Sequence, residues 1–422
     1  MSAHPLHVSS EIASLRKVIV HRPDHGIGRI TPKRSDELLF DDIVDLEKMQ
    51  SEHDHFVRVL ETFLGAENVL EVENLLTESI AHRPDVKKEL IQRVIDFAEA
   101  PSSFGDMMIK MDDRSLAQLL ISGYHEKEDH YMFDPIPNFI FTRDIAVTVN
   151  DHIIITKASK IARQRENLIN RFVLYTHPLF KDLQEQNKLI NLNQIDAFPP
   201  SKMSEQVSLE GGDVMIIEKD FLLIGSSERS TNHAFHSLKD RLFKEDVVDH
   251  VVQVTIPNDR SFMHIDTIFT RIDKDYIVCF KPIVVDGLAS WVDVHSKSGT
   301  KRSYASIKEF FLQEINPNMK FIMAGGGISP YQEREQWTDG CNLVAIKPGL
   351  ALTYDRNPMT EKEFVKNGFS ILKAGDLLEG VRDRSLDPSK IEKTIITLDS
   401  TELSRARGGS HCMTCPISRS KT

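Results

Sequence analysis

A chain of 422 residues with 40% hydrophobic and 27% charged side chains can bury a large core and lies in the ordinary globular range. The formal net charge of -11 argues against nucleic acid or an anionic membrane as the main partner and suits a small cationic substrate. The opening MSAHPLHVSSEIASLRKVIVHRP has no basic start followed by an apolar run, and no run reaches the roughly 18 residues of a membrane helix. Four cysteines then read as reduced thiols, and a cytoplasmic location is expected, with self-association left open.

In chain order, LRKVIVHRP reads as an opening strand. Residues 43–63 carry Ile43, Leu46, Met49, Phe56, Val59 and Leu60 near helical spacing. From about 73 to 131 the strand pattern vanishes, and the segment is expected to be a small all-helical insertion broken at Pro84 and at APSSFG. Four segments then repeat an apolar run, a tight polar turn and a second apolar run: 146–156, 213–225, 266–280 and 342–354. Each predicts a β-hairpin. Helices are expected at Ser226 to Phe243 and at 306–314, so strand, turn, strand and helix recur along one domain spanning 1–422.

The chemistry-bearing stretches lie beside these strands: PNFIFTRD (137–144), LEGGD (209–213), FMHID (262–266) and RGGSHCMTCPISR (407–419). Cys412 and Cys415 have the spacing of a metal or redox pair. No second ligand pair accompanies them, and Pro416 follows where a redox helix would begin. Cys279 and Cys341 are expected inside strands as buried apolar residues. These points weigh against metal and redox chemistry and leave a structural thiol or a nucleophile; the Gly-rich lead-in suits a strained, exposed nucleophilic Cys412, with Cys415 a packing thiol beside it. Alone, Asp144 could cap a turn, Glu210 could be a solvated acid, and His264 with Asp266 could be a structural pair.

Taken together and in order, FTRD, EGGD, MHIDTIFT, TYDRN and RGGSHCMTCPISR closely resemble the arginine deiminases of the guanidine-modifying (pentein) superfamily, over nearly the whole chain. The resemblance implies an α/β fold: a five-fold pseudosymmetric α/β propeller of ββαβ units. It implies hydrolysis of L-arginine to L-citrulline and ammonia in arginine catabolism, with no metal or organic cofactor. It assigns Cys412 as nucleophile, His264 as proton shuttle, Glu210 as partner of the guanidinium and of His264, and Asp144 and Asp266 as the carboxylates that grip the guanidinium edges. It places Arg163 and Arg229 at the substrate carboxylate, Arg407 at the entrance, and Asn138 at the amino-acid end. Asp213 is read as a supporting acid, and Phe141 either stacks on the guanidinium or packs in the core. The chain departs from the family at DIAVTVNDHIII, at SSERS and at Cys341. An amidinotransferase, an arginine dihydrolase and a non-catalytic arginine sensor are the competing readings.

Overall fold

The computed structural model describes residues 5–40 and 42–421. Five of its sheets share one plan, an antiparallel strand pair with a third strand added in parallel. The first joins distant parts of the chain: Leu15–Val20 pairs antiparallel with Cys415–Arg419 and parallel with Val69–Glu71. The second joins Ala146–Val149 and His152–Ile155 to Leu189–Asn191. The third joins Val214–Glu218 and Phe221–Ser226 to His250–Thr255, and carries two further strands, Trp291–Ser296 and Lys301–Tyr304. The fourth joins Phe269–Asp273 and Tyr276–Cys279 to Lys320–Met323. The fifth joins Val344–Lys347 and Leu350–Tyr354 to Thr394–Leu398, with Ser370–Lys373 beyond.

All four predicted hairpins form. The strands are short apolar runs buried on both faces, because helices cross between the parallel strands and cover them. Leu46–Leu64 is such a crossover, capped by the Asp45 carboxylate on the Lys48 N–H and burying Met49, Phe56, Val59 and Leu60. Ile43 lies outside this helix and is exposed.

Other expectations are corrected. The helix predicted from Ser226 runs Asn232–Lys244 instead. Ser226 ends a strand, Ser227 and Ser230 turn their hydroxyls to Asp213, and the Thr231 hydroxyl caps the helix at the Ala234 N–H. The stretch 306–314 forms one α turn, Ile307–Phe310, and then widens into a π turn, Phe311–Ile315. Within 73–131, helices Val72–His82, Pro84–Phe97, Ser103–Met108 and Asp113–Ser122 form. Gly123, left-handed at φ 73, stops the last of them, and Tyr124–His125 pairs with His130–Tyr131 as a small ribbon. Cys341 is buried as expected but lies in the turn before Val344–Lys347, not in a strand. No helix among the described residues is long and apolar enough to cross a membrane.

Candidate active site

One strand of each antiparallel pair is reached through a short polar turn, and the turns converge. Asp144 closes the turn Thr142–Asp144, and Asp213 closes Gly211–Asp213 with Glu210 just before it. Asp266 sits in Ile265–Thr267 with His264 just before it, while Asn342 and Cys412 precede Val344–Lys347 and Cys415–Arg419. Hydrogen bonds run from turn to turn. The Arg143 N–H donates to the Cys412 carbonyl at 3.0 Å, and the Gly212 N–H donates to Asp144 Oδ1 at 3.0 Å. The Ile265 N–H donates to Asp213 Oδ1 at 3.0 Å, and Asn342 Nδ2 donates to the Asp266 carbonyl at 3.1 Å. The Cys412 N–H donates to Asn342 Oδ1 at 3.1 Å and closes the ring. Buried backbone groups at sheet ends need partners, and short carboxylate and amide side chains reach exactly one turn away to supply them.

Cys412 is 8% exposed, so the thiol is buried, contrary to the exposed setting that its glycines suggested. The glycines serve close approach instead. A Cβ on Gly408 would lie 2.3 Å from the Phe141 ring, and one on Gly409 would lie 2.6 Å from the Asn342 carbonyl. The thiol lies 3.5 Å from Asp266 Oδ2, which also meets His411 Nδ1 at 2.8 Å. Asp266 Oδ1 is buried without a hydrogen-bond partner. Burial, Asp266, Asp144 and Asp339 push the Cys412 thiol well above its ordinary pKa. Burial opposes ionisation of Asp266, but His411, His264 and Arg143 together outweigh it and hold the carboxyl below its usual range. Cys415 packs with its thiol on the Ala146 carbonyl, as expected.

Across the cavity, His264 Nε2 lies 3.0 Å from Glu210 Oε2, and Nδ1 lies 4.0 Å from Asp144 Oδ1. Burial alone would lower the imidazole pKa; Asp144, Glu210 and Asp213 overcome it and raise it to about 10. Glu210 is fully buried, yet Arg163 and His264 outweigh the desolvation and hold it well below the carboxylate range. Asp213, pushed up to about 6 by burial, holds the His264 turn through the Ile265 N–H and binds the Ser227 and Ser230 hydroxyls.

Arg163 is also in the site. Its Nη1 lies 2.6 Å from Asp144 Oδ2 and 3.2 Å from Glu210 Oε2, while Nε and Nη2 grip Glu166 Oε2. Arg229 reaches Met263 Sδ at 3.4 Å and Glu210 Oε2 at 3.9 Å. Asn138 accepts Arg163 Nη2 on its carbonyl and donates its amide to the Leu38 carbonyl. Phe141 is buried against Gly408 and also lines the cavity, so its core and cavity readings are both met. Arg407, left-handed at φ 59, lies with its guanidinium 3.2 Å from the Trp337 ring centroid at the cavity wall. All eleven predicted residues therefore fall in or against one cavity, Asp213 and Asp266 from behind it.

The cavity is narrow, about 40 Å³ of water-accessible space, because these side chains fill it. A wider groove of about 460 Å³ between Pro84–Phe97 and Gln164–Thr176 contains no thiol or histidine. Asp144, Glu210 and His264 also place one donor atom each within 4.8 Å of one another, a third ligand that spacing did not foresee for His264. Arg163 already supplies the cation between the two carboxylates there, and a metal ion would meet its charge. Sequence reasoning missed Asn342, His411, Asp339, Glu166 and Arg260. His411 stands beside Cys412 in a quoted segment, Asn342 opens the hairpin stretch 342–354 and Asp339 lies three residues before it, and that position was the available signal.

A buried thiol beside Asp266, a histidine beside Glu210, and an arginine guanidinium gripped by Asp144 and Glu210 are an arrangement suited to planar cations. A sequence model of the family "Arginine deiminase" matches residues 36–106 and 100–419. The arginine deiminase of Limosilactobacillus fermentum is 34% identical over 98% of both chains, and that of Bacillus cytotoxicus 32% identical over 99% of both. The chain belongs to the arginine deiminase family. Among solved structures, DDAH from Pseudomonas aeruginosa, a mutant complexed with citrulline, is 13% identical over 95% of this chain and 99% of that one, at a TM-score of 0.50. The N-terminal domain of ArgZ, an arginine dihydrolase from cyanobacteria, is 14% identical over 96% and 98%, at a TM-score of 0.51. These two likenesses concern the α/β fold alone.

Proposed function

We propose that the protein hydrolyses L-arginine to L-citrulline and ammonia through a covalent adduct on Cys412. The observation that carries this reading is the placement of Arg163: the carboxylates of Asp144 and Glu210 already hold a guanidinium group beside His264. Asp266 Oδ1, buried and unpaired beside the thiol, offers a further acceptor.

In this mechanism the substrate guanidinium lies between Asp144, Asp266 and Glu210, in front of Cys412. Its positive charge opposes the field of the carboxylates and lowers the thiol pKa, so that the thiol proton passes to solvent and thiolate forms; the proton is regained from solvent after the product leaves. Sγ attacks the central carbon, and the imidazolium of His264 protonates one nitrogen. The C–N bond breaks, ammonia leaves, and a cationic thiouronium remains on Cys412. Neutral His264 takes a proton from water as oxygen adds to the carbon. Collapse breaks the C–S bond, releases citrulline and thiolate, and the remaining proton leaves with ammonia as ammonium. Arg163, displaced from Asp144 and Glu210 by the substrate guanidinium, and Arg229 receive the substrate carboxylate; Arg407 stands at the entrance, Asn138 meets the amino-acid end, and Phe141 the guanidinium face. Asp213 supports the His264 turn. The five sheets, each with helical cover, are read as five ββαβ modules with pseudo-fivefold symmetry about the cavity, and 73–131 as a unit inserted into this one domain.

The test is product analysis with L-arginine, agmatine and methylated arginine, beside Cys412→Ser. Citrulline and ammonia in equal amounts from L-arginine, lost in the variant, are the expected result. Ornithine would mark a dihydrolase, turnover only with an added amine an amidinotransferase, and binding without product a sensor.

A further inference from the structure

The cavity wall holds a carboxylate to which neither the sequence nor the proposed chemistry gives a task. Asp339 lies in the turn after Tyr331–Trp337, is 7% exposed, and lines the cavity with Arg407, Gly408 and Cys412. Its backbone is left-handed at φ 63, a conformation that costs a non-glycine residue energy. Its Oδ2 is buried with no hydrogen-bond partner. Such an oxygen is expensive unless a cation or donor meets it.

The other carboxylates are engaged. Asp144 binds Arg163 and the Gly212 N–H, and Glu210 binds Arg163, His264 and the Ser159 N–H. Asp266 gives Oδ2 to His411 and Cys412, leaving Oδ1 unpaired. Around the reacting thiol, two carboxylate oxygens are thus left without donors: Asp266 Oδ1 and Asp339 Oδ2. L-arginine carries two cationic groups, a guanidinium and an α-ammonium. Asp266, touching the thiol, belongs with the guanidinium, whose carbon must meet Sγ.

We propose that Asp339 receives the α-ammonium group of the substrate and so determines specificity for guanidines that carry this group. The inference rests on L-arginine being the substrate. Arg407 attracts Asp339 electrostatically and lines the same cavity, and the resemblance sets Arg407 at the entrance, the end where an amino-acid head group would sit. Burial keeps its proton affinity high although the Arg407 charge and the Gly408 N–H oppose it, and Oδ2 is the oxygen left for a ligand to complete.

The experiment compares kcat/KM for L-arginine with that for 5-guanidinopentanoate, which lacks the amino group, in wild type, Asp339→Asn and Asp339→Gly. Where the analogue turns over slowly, its inhibition constant against L-arginine is compared instead. Both replacements tolerate left-handed backbone, so the turn is retained. Loss of one charged hydrogen bond predicts a fall of about ten- to a hundredfold with L-arginine and no more than about twofold with the analogue. Equal losses with both compounds would assign Asp339 to support of Arg407, and no loss with either would give it no part in recognition; both overturn the proposal. Wild-type failure to convert L-arginine would overturn the function itself, independently of Asp339.

Discussion

His264 Nε2 stands 3.0 Å from Glu210 Oε2 in a site where both side chains are almost wholly withdrawn from water. The imidazole is thereby kept protonated through the neutral range, with Asp144 the first of the charges that hold it so. Under the proposed mechanism this is the proton His264 would donate.

The pH dependence follows. The folded pKa of about 10 lies above the ordinary 6.5, so the charged His264 contributes stability that is fully present below about pH 6.5 and is lost as pH rises through 10. Glu210→Gln removes one of the supporting charges. The alkaline limb of the kcat/KM profile should then move down by about one unit or more. An unmoved limb would show that Glu210 does not tune this histidine.

Cys412 should resist alkylation in the free enzyme, because burial and the neighbouring aspartates hold the proton on sulfur. Thiolate absorbance, followed as pH rises, should give a titration well above that of a free cysteine. Asp266→Asn should lower it by about one unit while abolishing turnover. A variant that loses turnover without any change in thiol titration would place the role of Asp266 in orientation alone.

Removing Arg163 leaves Asp144, Glu210 and Glu166 facing one another in the interior. Arg163→Gln should cost about 3–5 kcal/mol in denaturant unfolding, the usual penalty for stripping a buried charge cluster of its partner. Stability within about 1 kcal/mol of wild type would mean that these acids take up protons or water at little cost.

A methyl group on Gly212 would lie 2.6 Å from His264 Nδ1. Gly212→Ala should displace the ring and lower kcat about a hundredfold, with near-native circular dichroism. An unchanged kcat would show that His264 can shift without loss.

The catalytic candidates were legible because each lies just before an apolar strand, where hairpin alternation places it at a sheet end. That position drew attention to Asp144, Glu210, His264, Asp266 and Cys412, and the resemblance of their motifs to the arginine deiminases gave them roles. Their partners were harder to see. The contact from Cys412 to Asn342 spans 70 residues and that from His411 to Asp266 spans 145, distances over which local pattern carries no signal. The misplaced helix start at Ser226 has the same origin. Ser227 and Ser230 look like helix residues by composition, but a buried carboxylate from another turn recruits their hydroxyls. Gly123 was a local stop signal inside 73–131, overridden by the expectation of continuous helix.

The ring of turn-to-turn hydrogen bonds has an order in time. Its link at Cys412 is anchored by the strand Cys415–Arg419, which pairs with Leu15–Val20, and Arg419 bonds the Ala13 carbonyl 406 residues away. A nascent chain on the ribosome therefore presents Asp144, Glu210, His264 and Asp266 before any thiol can join them. Pairing over such a separation is slow to form. The segment that carries Cys412 is thus the last part of the ring to be made, and the ring closes only when the two ends of the chain meet.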